Sequence, residues 1–262
     1  MKKILIVIIV VLIHSIAFCE VPAEIIGEKN RKNIVVLLDL SDRVLIKGQI
    51  DNDINVIRLI VDQFWSQIKF MPIARYDALK IIIAPQNNIS YDLEDLNNVL
   101  SIDLSNLELQ DKKPSKLKSI LYNDLLTAVD TLYKRSRMSS KSSDYKGAQL
   151  WRYMKDYFYD ITFCKEGYNC KNYLIVLTDG YLDFEDYSDQ RNESNKTTST
   201  RFIQNELVKM DSQWERSYEE GNYGILELGY HVNNLEVLLI GVNPKDQKYQ
   251  YDILKRVWKD WL

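Results

Sequence analysis

The stretch NIVVLLDLSDRV, residues 33–44, begins as an apolar run rich in β-branched residues and ends in polar ones. Such a run is typical of a strand that is buried on both faces of a parallel sheet. The stretch NYLIVLTDGY, residues 172–181, repeats the pattern far downstream. Both apolar runs end in an aspartate, Asp39 in the first and Asp179 in the second. The sequence therefore predicts two buried strands that each carry a carboxylate at the carboxyl end.

Strand and helix patterns alternate along the rest of the chain. The run ALKIIIAP, residues 78–85, predicts another buried strand, and LEVLLIGV, residues 235–242, predicts a last apolar strand. Residues 98–109 fit either a short edge strand or a loop, and Asp51 or Asp53 can cap the first predicted helix. This order predicts a three-layer α/β fold with a mostly parallel central sheet flanked by helices. Apolar residues recur at helical spacing in five segments, which are residues 54–68, 117–132, 150–161, 202–218 and 249–262.

The predicted sheet brings its two terminal aspartates to one edge. Right-handed crossovers place the carboxyl ends of parallel strands at the same edge of a sheet, where ligands bind. If their strands are neighbours, Asp39 and Asp179 lie close together. Two carboxylates in such a position need a cation or a shared proton. The sequence therefore predicts a metal site there.

The strand ends, taken in order, resemble the von Willebrand factor type A domain family. The resemblance rests on VVLLDLSDRV, LIVLTDGY and LEVLLIGV, of which LTDG is the most specific piece, and it covers residues 33–262. It implies a Rossmann-like fold and a metal-ion-dependent adhesion site. In that family an Asp-x-Ser-x-Ser loop, a threonine from a later loop and the aspartate of the TDG strand end hold a divalent ion, usually Mg²⁺. A carboxylate of the partner protein completes the coordination.

Carried over to this chain, the resemblance names a set of metal ligands. Asp39 and Ser41 match the first two positions of the loop, and Asp179 matches the last aspartate. Ser143, or its neighbour Ser142, stands where the family has its threonine. Carboxylate and hydroxyl oxygens suit a hard ion such as Mg²⁺.

Arg43 departs from the family pattern, because it occupies the third loop position in place of serine. A guanidinium cannot ligate a metal and brings a permanent positive charge. Two hypotheses follow. Either Arg43 turns outwards and Asp42 supplies a substitute oxygen, or Arg43 turns inwards and pairs with Asp39 and Asp179 as an internal cation.

The first 19 residues have the composition of a secretory signal, with two lysines, an apolar core and a zone of small residues. Either an ordinary cleavage follows, or SIAFC serves as a lipobox and Cys19 becomes lipidated. Residues 20–32 then form a linker, and residues 33–262 form the domain, with a long insertion at about residues 183–230. The segment 183–201 is polar enough to predict an exposed loop.

Two cysteines remain outside the signal sequence, Cys164 and Cys170, separated by a glycine-containing turn. In an oxidising compartment they are expected to form a local disulfide bond, the alternative being two free thiols.

The chain has 262 residues and a net charge of −3, which does not suggest a nucleic-acid partner. We expect an exported protein, periplasmic, secreted or anchored to the envelope, that binds another protein or an envelope component and performs no catalysis. Membrane attachment is expected only through lipidation at Cys19. One alternative is a metal-dependent hydrolase or phosphatase with Asp39 as nucleophile. Another is a metal-free structural subunit of an envelope complex.

Overall fold

The strand β1, Lys29–Leu38, is the centre of a five-stranded sheet in the computed structural model. The strands are β2 (Ala78–Ile83), β3 (Ser101–Asp103), β4 (Tyr168–Leu177) and β7 (Leu235–Ile240), with β5 (Lys196–Thr197) and β6 (Gly224–Ile225) in a separate two-stranded sheet. The strand β1 pairs in parallel with β2 on one side and with β4 on the other, and β4 pairs in parallel with β7. Among the described strands of this sheet, only β3 is antiparallel, at the edge beside β2.

The order β3-β2-β1-β4-β7 reverses direction between β1 and β4. The chain adds strands outwards from β1 to one side and then continues on the other side. In open α/β sheets, ligands bind in the crevice beyond the carboxyl ends of the strands at such a point. Leu38 of β1 is in register with Leu177 of β4, and the Asp39 N–H donates to the Leu177 carbonyl at 3.0 Å. The residues that follow these two strands therefore lie side by side.

Helices occupy the connections between the strands, and one more helix follows β7. The helices are α1 (Gln49–Ile68), α2 (Glu94–Asn97), α3 (Leu107–Gln110), α4 (Pro114–Ser119, Ile120–Leu125 and Leu126–Ser136), α5 (Leu150–Asp156), α6 (Trp214–Glu220, after the turns Ile203–Leu207 and Val208–Gln213) and α7 (Gln250–Trp261). The long α4 includes a wider, π-helical turn, and α6 follows irregular helical turns that are interrupted at Asp211. Two short 3₁₀ turns are Asp42–Leu45 and Ser142–Asp144.

Helices cover both faces of the sheet, so the predicted three-layer α/β fold is confirmed. Alternate residues of β1 point to opposite faces. Val36 and Leu38 belong to a core that includes Phe64 of α1 and residues of α4. Val35 and Leu37 belong to a second core with residues of α5 and α7. Burial of β1 on both faces explains why its sequence is continuously apolar rather than alternating.

The structure differs from the sequence predictions at several boundaries. Residues 29–32, assigned to the linker, extend β1, because their polar backbone pairs with residues 168–171 of β4. Neither Asp51 nor Asp53 caps α1, since the helix begins after Gly48, which has a left-handed backbone. In the polar segment 183–201, the described end is not an exposed loop, because Thr200 is fully buried and its hydroxyl donates to Asp183.

The small sheet of β5 and β6 is attached to the main body by two tryptophans. The indole N–H groups of Trp151 in α5 and Trp261 in α7 both donate to the carbonyl of Leu226, at 2.9 and 3.0 Å. Leu226 follows β6 directly, and its own N–H donates to Thr197 of β5 at 2.8 Å. The described part of the insertion is thus held against two helices of the second core.

The structure describes residues 29–69, 76–86, 93–137, 139–157, 162, 168–183, 195–229, 234–244 and 248–262. The predicted signal sequence with Cys19, most of the predicted linker and Cys164 lie outside these ranges. The disulfide bond between Cys164 and Cys170 therefore stays a prediction; Cys170 itself is buried in β4. Within the described ranges, no helix combines the length and the apolar composition needed to cross a membrane.

Candidate functional site

Asp39 is held in a fixed orientation at the end of β1. It is 2% exposed, and both of its carboxylate oxygens accept hydrogen bonds. Oδ1 accepts the N–H of Ser41 at 3.0 Å, and Oδ2 accepts the hydroxyl of Thr178 at 2.8 Å. Thr178 is the first residue after β4, so this second bond joins the ends of the two central strands. The carboxylate thereby shapes its own loop and anchors it to the neighbouring strand.

Arg43 turns inwards and is buried completely, but its partner is Asp53 in the first turns of α1. Nη1 and Nη2 of Arg43 donate to the two carboxylate oxygens of Asp53 at 2.7 and 3.0 Å. Nη1 also donates to the main-chain carbonyl of Asp39 at 3.1 Å. A bidentate pair of this kind is the strongest arrangement of an arginine with a carboxylate.

Two further side chains complete the surroundings of the Asp53 carboxylate. Gln49 of α1 donates to Oδ1 at 2.8 Å, and the hydroxyl of Tyr133 of α4 donates to Oδ2 at 3.0 Å. Burial and the charge of Asp53 raise the pKa of Tyr133 well above its usual range, so the phenol remains a donor. Burial alone would lower the pKa of Arg43, but the charges of Asp53 and Asp39 raise it. The Arg43 guanidinium therefore stays charged. Its two Nη atoms and both oxygens of Asp53 are hydrogen-bonded, as a buried pair requires, whereas the buried Nε of Arg43 has no partner among the described residues.

Gly241, directly after β7, leaves room for the guanidinium. A Cβ atom built on Gly241 lies 2.9 Å from Nη2 of Arg43 and 3.2 Å from the carbonyl oxygen of Thr178. Its φ of +93° is also strained for any residue with a side chain. Glycine at position 241 is therefore a condition for the buried position of Arg43.

Asp179 follows Thr178 and is 9% exposed. Its Oδ1 accepts the N–H of Tyr181 at 3.0 Å, whereas no group among the described residues donates to its Oδ2. Burial, and after it the charge of Asp39, raise the pKa of Asp179 to about 7, and the positive charge of Arg43 only partly opposes the rise. The carboxylates of Asp39 and Asp179 therefore act on each other, as their predicted convergence requires.

The hypothesis that Arg43 pairs with Asp39 and Asp179 is wrong in its partners. Arg43 does turn inwards, but both of its terminal nitrogens are engaged by Asp53, and its contact with Asp39 is to the main chain. The sequence pattern favours Asp53 as a candidate helix cap, and that interpretation gives no indication of a partner for Arg43. The alternative, in which Arg43 turns outwards, is also wrong, since Arg43 is 1% exposed.

Of the two serines proposed in place of the family threonine, Ser142 lies at the site. Its hydroxyl donates to the carboxylate of Asp42, the residue between Ser41 and Arg43. Ser143 instead points to Asp144, with 3.4 Å between its Oγ and Oδ1 of Asp144. Asp42 accordingly forms the contact between the loop after β1 and the 3₁₀ turn Ser142–Asp144.

These residues present oxygen atoms that suit a hard divalent cation, without a complete set of acidic ligands. Asp39, Ser41, Ser142 and Asp179 supply carboxylate and hydroxyl oxygens at one edge of the sheet, and Asp42 lies beside them. Within the described part of the chain, no group of three or more histidine, cysteine, aspartate or glutamate side chains is placed to hold a metal. A cation here would depend on hydroxyl groups and water for most of its coordination.

Sequence reasoning missed four residues of the site: Gln49, Asp53, Tyr133 and Thr178. Thr178 stands in the quoted motif LTDGY, directly before Asp179, and its position there was a usable signal. Asp53 and Gln49 lie four residues apart on α1 and therefore on the same helix face. This spacing was a weaker signal. For Tyr133, 80 residues from Asp53, nothing in the sequence indicated the contact.

No protein-family model, no curated protein and no solved structure matches this chain.

Replacement of Arg43 by methionine should destabilise the protein by about 3–5 kcal/mol, because it leaves the Asp53 carboxylate buried without a cation. The double variant Arg43→Met/Asp53→Leu should regain part of this free energy of unfolding, measured by urea denaturation, because it removes the unpaired charge but leaves Gln49 and Tyr133 without their acceptor. The matched control is Arg135→Met, which removes an exposed bidentate pair with Asp95 and should cost less than about 1 kcal/mol. Equal losses for Arg43→Met and Arg135→Met would contradict the assigned importance of the buried pair.

Gly241→Ala should be clearly more destabilising than Gly48→Ala. Both glycines have positive φ, which costs a side chain about 1–2 kcal/mol, but a Cβ on Gly48 meets no atom within 4 Å. At Gly241 the added carbon also meets the immobile guanidinium of Arg43, which adds an overpacking cost of about 1–3 kcal/mol. Thermal or urea unfolding of the two variants gives the comparison, and equal effects would show that Arg43 is free to move aside.

The raised pKa of Asp179 should make the protein less stable as the pH rises. The folded state binds this proton more tightly than the unfolded state, so the contribution is fully present below about pH 4 and is lost as the pH rises through about 7. Asp179→Asn removes the titrating group and keeps an acceptor for Tyr181. The difference in free energy of unfolding between variant and wild type, measured with chelator present, should therefore shift in favour of the variant from pH 4 to pH 8. A difference that does not change with pH would contradict this.

Proposed function

We propose that this protein is a binding module of the von Willebrand factor A type, which recognises another protein at the edge formed by the carboxyl ends of β1 and β4. The proposal concerns recognition without catalysis. The strand order supports this position of the recognition surface, because the reversal between β1 and β4 creates the crevice in which α/β folds bind ligands.

The observation that carries the proposal is the position of the charges. Arg43 is the cation that acts on Asp179, and its guanidinium is engaged by Asp53. Asp39 and Asp179 therefore give this edge a negative electrostatic potential. No described side chain forms an ion pair with either carboxylate. A site with this charge, built from carboxylate and hydroxyl oxygens, favours an external cation.

A divalent ion such as Mg²⁺ fits this set of donors as a weakly bound cofactor. Asp39 and Asp179 would supply the charge, and Ser41 and Ser142 would supply hydroxyl oxygens. When bound, the ion supplies an open coordination position for a carboxylate of the partner. The chain's own residues orient the site: the Thr178 hydroxyl fixes one oxygen of Asp39, and Asp42 holds Ser142 in place.

No observation favours the alternative of a hydrolase with Asp39 as nucleophile. The Asp39 carboxylate is 2% exposed, and both of its oxygens accept hydrogen bonds that a nucleophile would have to give up. We accordingly expect no catalysis. The surroundings of Asp39 are those of a residue that shapes a loop.

The predicted signal sequence supports an exported location, in the periplasm, outside the cell or at the envelope. A structural subunit of an envelope complex would use the same edge with the partner permanently bound. The two forms of the proposal share the recognition surface and differ only in the lifetime of the complex.

The proposal predicts that divalent ions stabilise the protein. An ion such as Mg²⁺, Mn²⁺ or Ca²⁺ that binds only the folded state adds about 1.4 kcal/mol to the free energy of unfolding when its concentration is ten times the dissociation constant. For a domain of this size that raises the midpoint of thermal unfolding by about 3–6 °C relative to excess chelator. Differential scanning calorimetry measures the shift.

The shift should disappear in Asp39→Asn and Asp179→Asn and persist in Asp124→Asn. Asp124 is an exposed carboxylate on α4 and serves as the matched control, because its replacement changes the net charge equally. A wild-type protein that does not respond at millimolar concentrations of metal would sink the cation-dependent form of the proposal. An equal response of all three variants would place the ion elsewhere.

A further inference from the structure

The strand β7 has the composition of a buried strand but lies at the edge of the sheet. Its sequence, LEVLLI, is as apolar as those of β1 and β4. Val36 and Val176, at the centres of those strands, are fully buried, whereas every residue of β7 keeps some exposure. Among the described residues no strand pairs with the outer side of β7. An apolar edge of this kind is a template for another strand.

The backbone of β7 presents hydrogen-bonding groups on that outer side. The carbonyls of Asn234 and Ile240 accept hydrogen bonds from residues 172 and 178 at the two ends of β4. Because backbone direction alternates along a strand, the N–H and C=O groups of Leu235, Val237 and Leu239 point away from β4. No described residue forms a hydrogen bond with them. A regular row of donors and acceptors without a partner among the described residues thus runs along about 20 Å, the length of six residues.

A groove of about 400 Å³, which we name the β7 groove, runs beside this row under helix α7. The strand supplies its apolar floor, and α7 supplies a wall with two charges. The residues that define the groove are Leu235, Val237, Leu239, Tyr251, Lys255 and Lys259.

The wall of the β7 groove carries two positive charges, those of Lys255 and Lys259. Lys255 and Lys259 are exposed, lie one turn apart, and form no ion pair with any residue in the part of the chain that the structure describes. On the same helix, Arg256 has acidic partners, with Asp260 at 2.6 Å and Glu219 at 3.3 Å. The charges of the two lysines therefore favour an anionic occupant of the groove over a cationic one.

We propose that the outer edge of β7 binds an extended segment of a partner protein, which adds as a sixth strand and alternates apolar and acidic side chains. The main chain of the segment pairs with Leu235, Val237 and Leu239. Its carboxylates point into the β7 groove towards Lys255 and Lys259, and its apolar side chains point to the opposite face. Strand addition of this kind obtains affinity from the backbone and specificity from alternate side chains.

The opposite face of the sheet also suits apolar side chains. There Leu238 and Ile240 of β7 border a cleft together with Val56 and Ile60 of α1, and its lining is apolar apart from Lys32, Gln63 and Gln67.

A second copy of this chain fits the outer edge of β7 less well. Antiparallel pairing of β7 with itself would place the α7 helices of both copies on the same face, so that four lysines would meet across the junction. Like charges in that arrangement oppose the pairing.

The test uses the purified protein and two fluorescein-labelled peptides of eight residues, one alternating valine with glutamate and the other valine with lysine. Fluorescence anisotropy should give an affinity at least tenfold higher for the glutamate peptide. Hydrogen exchange should show the amides of Leu235, Val237 and Leu239 protected when that peptide is bound.

Two variants make the test specific. Val237→Pro removes an outward N–H but no bond to β4, so it should abolish binding while the midpoint of thermal unfolding stays within a few degrees. Lys255→Glu/Lys259→Glu should reverse the preference to the lysine peptide, whereas the control Lys112→Glu/Lys116→Glu, with the same change in net charge, should not.

Three results would overturn the proposal. The first is equal or absent binding of the two peptides to the wild-type protein. The second is binding of the glutamate peptide that survives both Val237→Pro and the reversal of the two lysines. The third is a dimer in sedimentation velocity that Val237→Pro dissociates, which would assign the edge to a second copy of this chain. None of these measurements involves a divalent ion, so their outcome is independent of the site at Asp39.

Discussion

The buried ion pair between Arg43 and Asp53 is the constraint on which the carboxyl edge of the sheet depends. Two charges removed from water are tolerable only when their geometry is good and their remaining hydrogen-bonding groups are satisfied. Here Gln49 of α1 and Tyr133 of α4 donate the additional hydrogen bonds to Asp53. One polar cluster therefore fixes the turn after β1 against two helices. The positions of Asp39 and Ser41 are secondary consequences of that anchoring.

The sequence predicted the layers of the fold and the convergence of two carboxylates, because both depend on local patterns and general topology. Continuous apolar runs identify strands that are buried on both faces, and the rule for the carboxyl ends of parallel strands then places Asp39 and Asp179 together. The pairing of β1 with β4 confirms that the two strand ends are neighbours. The family resemblance and the metal stay predictions.

The partner of Arg43 could not be predicted, since it depends on where α1 begins and on how the helix packs. A helix that started at an aspartate cap would direct that carboxylate to its own backbone; the actual start at Gly48 turns Asp53 inwards. The edge position of β7 could not be predicted from the sequence either. Its apolar sequence indicates burial, and only the strand order reveals that one side has no partner among the described residues. Side chains and strand order are decided by tertiary packing, which a single sequence records only indirectly.

The close approach of Gly241 to Arg43 links two positions that lie almost 200 residues apart. A side chain at position 241 requires a smaller residue at position 43, and a neutral residue at position 43 leaves no reason to retain an acid at position 53. Relatives of this chain should therefore change positions 43, 53 and 241 as a group. A serine at position 43, which would match the loop of the family that the sequence resembles, is expected together with a neutral residue at 53 and a free choice at 241. Covariation of these three positions would distinguish a lineage with an internal charge pair from one with a full set of metal ligands.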